Sequence, residues 1–270
     1  YDNEQEQSRQ EYLYLLGELR EAVKSDQLRL YYQPKLRLAS NRVIAAEALI
    51  RWQHPVRGLV SPDLFIPFAE HTGAIRMVTV WVIESACQTL QMWQGAGITI
   101  QVSVNVSTRD LLNPQLPTLI DGELTRRSLN PSSLCLEITE SALMEDPAIA
   151  LNTVTQLAAL GVDLAIDDYG TGYSSLAYLK NLPVKELKID REFIVNMIDK
   201  REDHAIVQST IELGHNLQLS VVAEGVETEA ELAELRSLGC DLVQGYHVAK
   251  PMPVHEFSAW FSSYKEGSRE

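Results

Sequence analysis

The chain has 270 residues, 45% hydrophobic and 22% charged, the balance of a globular protein with room for a large core. Its net charge of −14 argues against a nucleic-acid polymer or an anionic membrane surface as main partner. A small phosphorylated ligand is not excluded, because bound cations would invert the local sign. Cys87, Cys135 and Cys240 lie far apart in apolar segments and read as reduced core residues of a cytoplasmic domain, with no zinc spacing. No apolar run is long enough to span a bilayer, although the full-length protein could be tethered to a membrane elsewhere.

Residues 1–17 start at Tyr1 without a methionine and read as the tail of a linker helix from a longer protein. The domain itself is expected over 18–265. Strand-like runs follow at 28–34, 43–51, 100–106, 134–139, 163–168, 184–190, 219–224 and 242–245. Helical patterns at 76–95, 144–160, 201–217 and 228–238 separate most of them, and Thr228 is a natural cap for the last. Gly97, Gly161 and Gly239 stand where helix ends need a left-handed residue. Alternation of β and α over some 250 residues predicts an α/β protein of the (β/α)8, TIM-like barrel type, with a doubly wound open sheet as the runner-up.

The first two strands break the alternation. About nine residues, 35–43, join them, too few for a parallel crossover, so they should form an antiparallel hairpin. That makes the first strand the one antiparallel member of the barrel. It also places Gln33 beside Arg51 at one rim.

Strand side chains alternate between the barrel interior and the helix layer. With the aliphatic residues of each run facing the helices, the inward set includes Glu47, Leu49, Arg51, Asn105, Glu137, Asp167, Lys188, Glu224 and Gln244. Taken singly, each acidic residue reads as a salt-bridge or cap partner, and Lys188 as a partner of Asp190. Polar residues from seven strands converging on the C-terminal rim, where barrel active sites are built, argue for more. Asp168 adds a fifth carboxylate to Glu47, Glu137, Asp167 and Glu224, a crowd that repels itself unless cations neutralise it. The all-oxygen donor set suits two Mg²⁺ or Mn²⁺ ions, with Asp167 bridging and Asp168 turned to the second. The histidines suggest no metal site: His54 alone lies near an inward strand end, and His247 reads as a loop residue. "GTG" at 170–172 is too short for a dinucleotide fingerprint, and no Walker lysine follows it.

The motifs "YYQPK" (31–35), "EALIRW" (47–52), "SVNVS" (103–107), "LEITES" (136–141), "DDYGTGYSSL" (167–176), "LKID" (187–190), "AEGVET" (223–228) and "QGY" (244–246) occur in this order. Together they resemble the EAL-domain family of cyclic-di-GMP phosphodiesterases over residues 18–261. The resemblance implies a barrel with one antiparallel strand and hydrolysis of cyclic-di-GMP to linear 5′-pGpG. It implies a first divalent ion on Glu47, Asn105, Glu137 and Asp167, and a second on Asp167, Asp168 and Glu224. Lys188 would sit on the attacking water, with Glu47 also counted as catalytic. Gln33, Leu49, Arg51 and Gln244 would contact substrate, while Glu140 and Glu227 would anchor the loop after Asp168. The family further implies a homodimer and regulatory domains beyond this sequence. The one loop departure is Tyr169, where many relatives carry Phe. A non-catalytic cyclic-di-GMP receptor is the alternative, but its usual mark is an eroded ligand set. A barrel aldolase or isomerase is a more distant rival and leaves Gln33 and Arg51 at the same rim unexplained.

Overall fold

Only residues 38–41 connect strand β1 (Leu28–Arg37) to strand β2 (Arg42–His54), and the two pair antiparallel along the whole of β1. The computed structural model describes residues 17–170 and 179–267, without the side chains of 265–267. The expected linker tail at 1–17 therefore lies almost wholly outside the described residues. The hairpin is as expected, but its register is not. Gln33 pairs with Glu47, and Arg51 pairs with Arg29 four pairs further out, so Gln33 and Arg51 share a face without being neighbours. The turn takes four residues, 38–41, and the unpaired Ile44 shifts every pairing beyond it by one residue along β2.

From β2 the sheet continues through β4 (Gln101–Val106), β5 (Leu134–Thr139), β6 (Asp163–Tyr169), β7 (Glu186–Ile189), β8 (Ser220–Ala223) and β9 (Leu242–Val243), all parallel. β9 then pairs with β1 through Leu36↔Val243 and Arg37↔Leu242, closing an eight-stranded ring in which β1 alone runs backwards. Two short strands were not anticipated. β3 (Gly58–Val60) pairs with the end of β2, and β10 (Met252–Pro253) pairs with Tyr31 and Tyr32 of β1.

The helix Ile75–Gly95 buries Ile75, Val78, Val82, Ile83, Ala86, Leu90 and Trp93, one face of a 3.6-residue period. Gly97, Gly161 and Gly239 have φ of 73°, 90° and 75°, the left-handed backbone their position predicts. The helix expected at 144–160 is two helices, Glu140–Glu145 and Pro147–Ala159. Asp146 divides them, accepting from the Ile149 N–H ahead of a proline at the first helical position. Thr228 caps Glu229–Ser237 in a capping box with Glu231, whose side chain is buried. Helices at Pro62–Thr72, Leu116–Arg127, Arg191–Asn196 and Val254–Gly267 complete most of the outer layer. No helix among the described residues is long and apolar enough to cross a membrane.

Because β1 is not followed by a helix, its outer face is covered by the end of the chain. Phe257 stacks on Trp93 with centroids 4.9 Å apart, and Trp93 meets Tyr32 of β1 edge-on, also at 4.9 Å. The polar tips are satisfied: Tyr32 donates to Thr89 Oγ1 and Trp93 Nε1 donates to Ser258 Oγ. Phe257 is fully buried, so Phe257→Ala should cost about 3–5 kcal/mol in urea denaturation. A loss under 1 kcal/mol would show that the last helix is not part of the core.

Candidate active site

Inside the barrel the polar side chains stack in layers. At the bottom, the fully buried Lys35 ammonium donates to Ser103 Oγ at 3.0 Å, Glu137 Oε1 at 2.7 Å and Glu186 Oε1 at 2.5 Å. One layer up, the Lys188 ammonium lies 2.6 Å from Glu137 Oε2, 2.6 Å from Glu224 Oε1, 3.0 Å from Asp167 Oδ1 and 3.8 Å from Glu47 Oε2. Lys188 has no ion pair with Asp190. That carboxylate accepts from the Glu192 N–H and caps the helix Arg191–Asn196.

Glu47 is held from the rim side. Asn105 Nδ2 donates to its Oε1 at 2.7 Å, and Gln244 Nε2 donates to its Oε2 at 2.5 Å. Gln244 also donates to Gln33 Oε1, and Gln33 donates to the Ala249 carbonyl. Thus Gln33, Glu47, Asn105, Glu137, Asp167, Lys188, Glu224 and Gln244, each from a different strand of the ring or the residue just past it, form one connected network.

Strict alternation would send Asp168 away from Asp167. Instead, β6 pairs Ile166 with Leu187 and Tyr169 with Ile189, so two aspartates oppose the single Lys188 on β7. This is a β-bulge, and Asp168 takes a left-handed φ of 52° within it. The kink brings both carboxylates to the same side, where ligand atoms of Asp167, Asp168 and Glu224 lie within 4.8 Å of one another. Aspartate tolerates this backbone region better than most side chains, which helps explain its place there.

The other expected residues ring this centre. Leu49 lines a cleft of about 410 Å³ with Ile66, Pro67, Val78, Asn105 and Asp168. Arg51 stands further out on β2 with its guanidinium 5.8 Å from the Tyr31 ring centroid. Glu140 is buried behind the strand ends, and its Oε2 accepts from the Gly170 N–H at 3.3 Å. The rest of the loop that Glu140 is expected to anchor, residues 171–178, lies outside the described residues. Glu227 pairs with Arg191 at 2.7 Å, and any contact with residues 171–175 is likewise outside them. His54 Nδ1 accepts from the Val56 and Arg57 N–H groups, and His247 pairs with Glu229, so both have structural partners.

Neither Lys35 nor Glu186 stands among the site residues expected from the sequence. The available signal was parity: Lys35 shares the face of Gln33 two residues earlier. Because β1 runs backwards, its inward residues go deeper as the chain proceeds.

Six carboxylates (Glu47, Glu137, Asp167, Asp168, Glu186 and Glu224) face two ammonium groups in this interior, a deficit of positive charge. Burial, reinforced by Glu137 and Asp167 against the pull of Lys188, pushes the Glu47 carboxyl up to about 7. Burial followed by the Asp167 and Asp190 charges raises Asp168 to about 6. Burial holds Glu224 well above the usual carboxylate range despite Lys188. For Glu137, burial is overcome by Lys188 and Lys35, which bring it down to about 2. An oxygen-rich cluster short of cations has the composition of a site for a hard divalent ion.

These shifts set a sign. Folding raises Glu47 from 4.5 to about 7, so the folded state binds the proton more tightly and loses stability as pH rises through that window. Asp168 acts the same way from 3.8 to about 6, whereas Glu137 stabilises above 4.5 and loses that contribution only as pH falls toward 2. With a chelator present, the melting temperature should fall between pH 5 and 7.5. Glu47→Gln should flatten that fall, which assigns it to this carboxylate. A profile identical in wild type and Glu47→Gln would refute the strain.

Residues 16–251 match the family model described as "EAL domain". The chain is 45% identical over 251 residues to the bifunctional diguanylate cyclase/cyclic di-GMP phosphodiesterase MucR of Pseudomonas aeruginosa, covering 93% of this chain and 37% of that protein. It is 43% identical to the cyclic di-GMP phosphodiesterase NbdA of the same organism, covering 92% and 32%. The chain thus spans about a third of the length of these curated relatives. Among solved structures, "PaMucR Phosphodiesterase, c-di-GMP complex" superposes with a TM-score of 0.88 at 44% identity, over 90% of this chain and 99% of that one. The FimX EAL domain from Pseudomonas aeruginosa bound to c-di-GMP superposes at 0.82 with 26% identity, over 88% and 96%. With its reversed first strand and its carboxylate-rich mouth, the chain belongs to the EAL domain family.

Proposed function

We propose that this domain hydrolyses cyclic-di-GMP to linear 5′-pGpG with two divalent ions, Mg²⁺ or Mn²⁺. The observation that carries the reading is the β6 bulge, which gathers Asp167 and Asp168 with Glu224 above an intact set of Glu47, Asn105 and Glu137. The relatives named for cyclic-di-GMP phosphodiesterase activity, and the phosphodiesterase structure in complex with c-di-GMP, support the substrate.

Glu47, Asn105, Glu137 and Asp167 would hold one ion, and Asp167, Asp168 and Glu224 the other. Bound there, the ions supply Lewis acidity, easing deprotonation of water near neutral pH and neutralising phosphate charge. The water oxygen then bonds to phosphorus as the P–O3′ bond breaks opposite it, and the leaving oxygen is protonated. This yields a 3′-hydroxyl and a 5′-phosphate. Lys188 would hold Glu137 in place and, with Asp167 and Glu224 drawn to the ions, would turn the N–H they release toward the water as a donor at the developing charge. Gln33 and Gln244 would bind substrate polar groups, Arg51 a phosphate, and Leu49 the face of a base in the neighbouring cleft. Such an activity belongs in the cytoplasm. The much longer relatives support attached regulatory domains, and the resemblance alone suggests a homodimer, which sedimentation of the domain would test.

Turnover of cyclic-di-GMP should vanish in EDTA, return with Mg²⁺ or Mn²⁺ and be inhibited by Ca²⁺, whose looser coordination spoils the geometry. Glu47→Ala and Asp167→Ala should each abolish cleavage. A receptor would bind the dinucleotide and leave it uncut under all these conditions.

Glu140 gives a second test. Its bond to the Gly170 N–H ties down the chain two residues after Asp168, so Glu140→Ala should cut kcat by about ten- to a hundredfold at limiting Mg²⁺. Excess Mg²⁺ should restore part of that loss, but not the loss in Lys188→Ala. Identical Mg²⁺ titrations for the two variants would argue against loop anchoring.

A further inference from the structure

Glu137 is gripped from both sides, and the lower grip has no part in the reaction just described. Lys35 Nζ takes its Oε1 at 2.7 Å from the barrel floor, while Lys188 takes Oε2 at 2.6 Å from the mouth. Lys35 is itself fixed by Ser103 and Glu186, so its ammonium has a partner for each of its three protons. The strand pairing slips beside it: Lys35 pairs with Ala45 and Leu36 with Val43, leaving Ile44 over. Every polar contact of Lys35 is interior, and a protonated amine has no lone pair for a metal.

From this geometry we propose that Lys35 is a positioning residue for metal binding, committing Glu137 Oε1 to the barrel floor so that only Oε2 is presented to the ion cluster. The proposal rests on the reading of Glu137 as a ligand. The terminal torsion of a glutamate is broad, so an unpinned carboxylate would present either oxygen, at varying heights, to the mouth. Partners behind a ligand that remove this freedom commonly govern affinity. A purely electrostatic role for Lys35 has the opposite sign: an ammonium near a cation site repels the cation, and its removal would tighten binding.

The experiment is Mn²⁺ titration of the intact chain without nucleotide, by calorimetry or by electron paramagnetic resonance of free Mn²⁺, with a thermal melt of each variant. Lys35→Met should weaken Mn²⁺ binding by about ten- to a hundredfold. Glu186→Gln breaks one ion pair of Lys35 but leaves its bond to Glu137, so it should keep wild-type affinity even where its melting temperature drops. Should Lys35→Met not fold, Lys35→Met/Glu186→Leu replaces the buried ion pair with apolar side chains and should show the same weakening. Mn²⁺ affinity equal to or tighter than wild type in a folded Lys35 variant would overturn the proposal. So would an equal loss in Glu186→Gln, since affinity would then merely follow core integrity. Wild-type protein that takes up no Mn²⁺ would instead strike at the ligand reading itself.

Discussion

Taking an ionised group out of water costs several kcal/mol even after the protein relaxes, and the interior of this barrel holds a stack of them. Lys35 and Lys188 make that tolerable, each surrounded by carboxylates, with Glu137 shared between the two. The compensation is deliberately incomplete in effect if not in origin: charge is balanced near the floor and unbalanced toward the mouth. Glu137, deepest and doubly paired, stays easily ionised, while Glu47, Asp168 and Glu224 hold their protons too tightly. The gradient of unmet negative charge points along the barrel axis to the C-terminal rim, where divalent cations would relieve it.

Much of this was legible because strand parity is a strong constraint. The residues Asn105, Glu137 and Lys188 each alternate with aliphatic neighbours that must face the helices, so their inward direction follows from the sequence. Asp168 was put beside Asp167 at the rim for a weaker reason. Adjacency of two aspartates suggested a shared task, but alternation alone opposes it, and only the bulge with its left-handed residue resolves the conflict. A bulge leaves no reliable mark in sequence because it depends on what the neighbouring strand offers, here the single Lys188.

The misreadings have physical causes too. Gln33 was set beside Arg51 by aligning strand ends, whereas register is fixed by the turn and by the slip at Ile44. Lys35 is not marked by a C-terminal strand end, because β1 runs opposite to the other seven strands and carries its inward residues toward the floor as the chain proceeds. The split at Asp146 was written in the sequence as a cap followed by proline, but the apolar periodicity ran on across it.

The reversal of β1 also bears on how the chain can be made. Its second edge waits for β9, and Gln33 meets Gln244 across 211 residues of sequence. Its outer face waits longer still, for Phe257. During synthesis from the N-terminus, the hairpin would form early and then stand with one edge bare while nearly the whole domain is translated. Such a topology has high contact order, and the ring gains its closing contacts only at the end. An exposed strand edge of that kind is a template for wrong pairing, a hazard that ends only when β9 closes the ring.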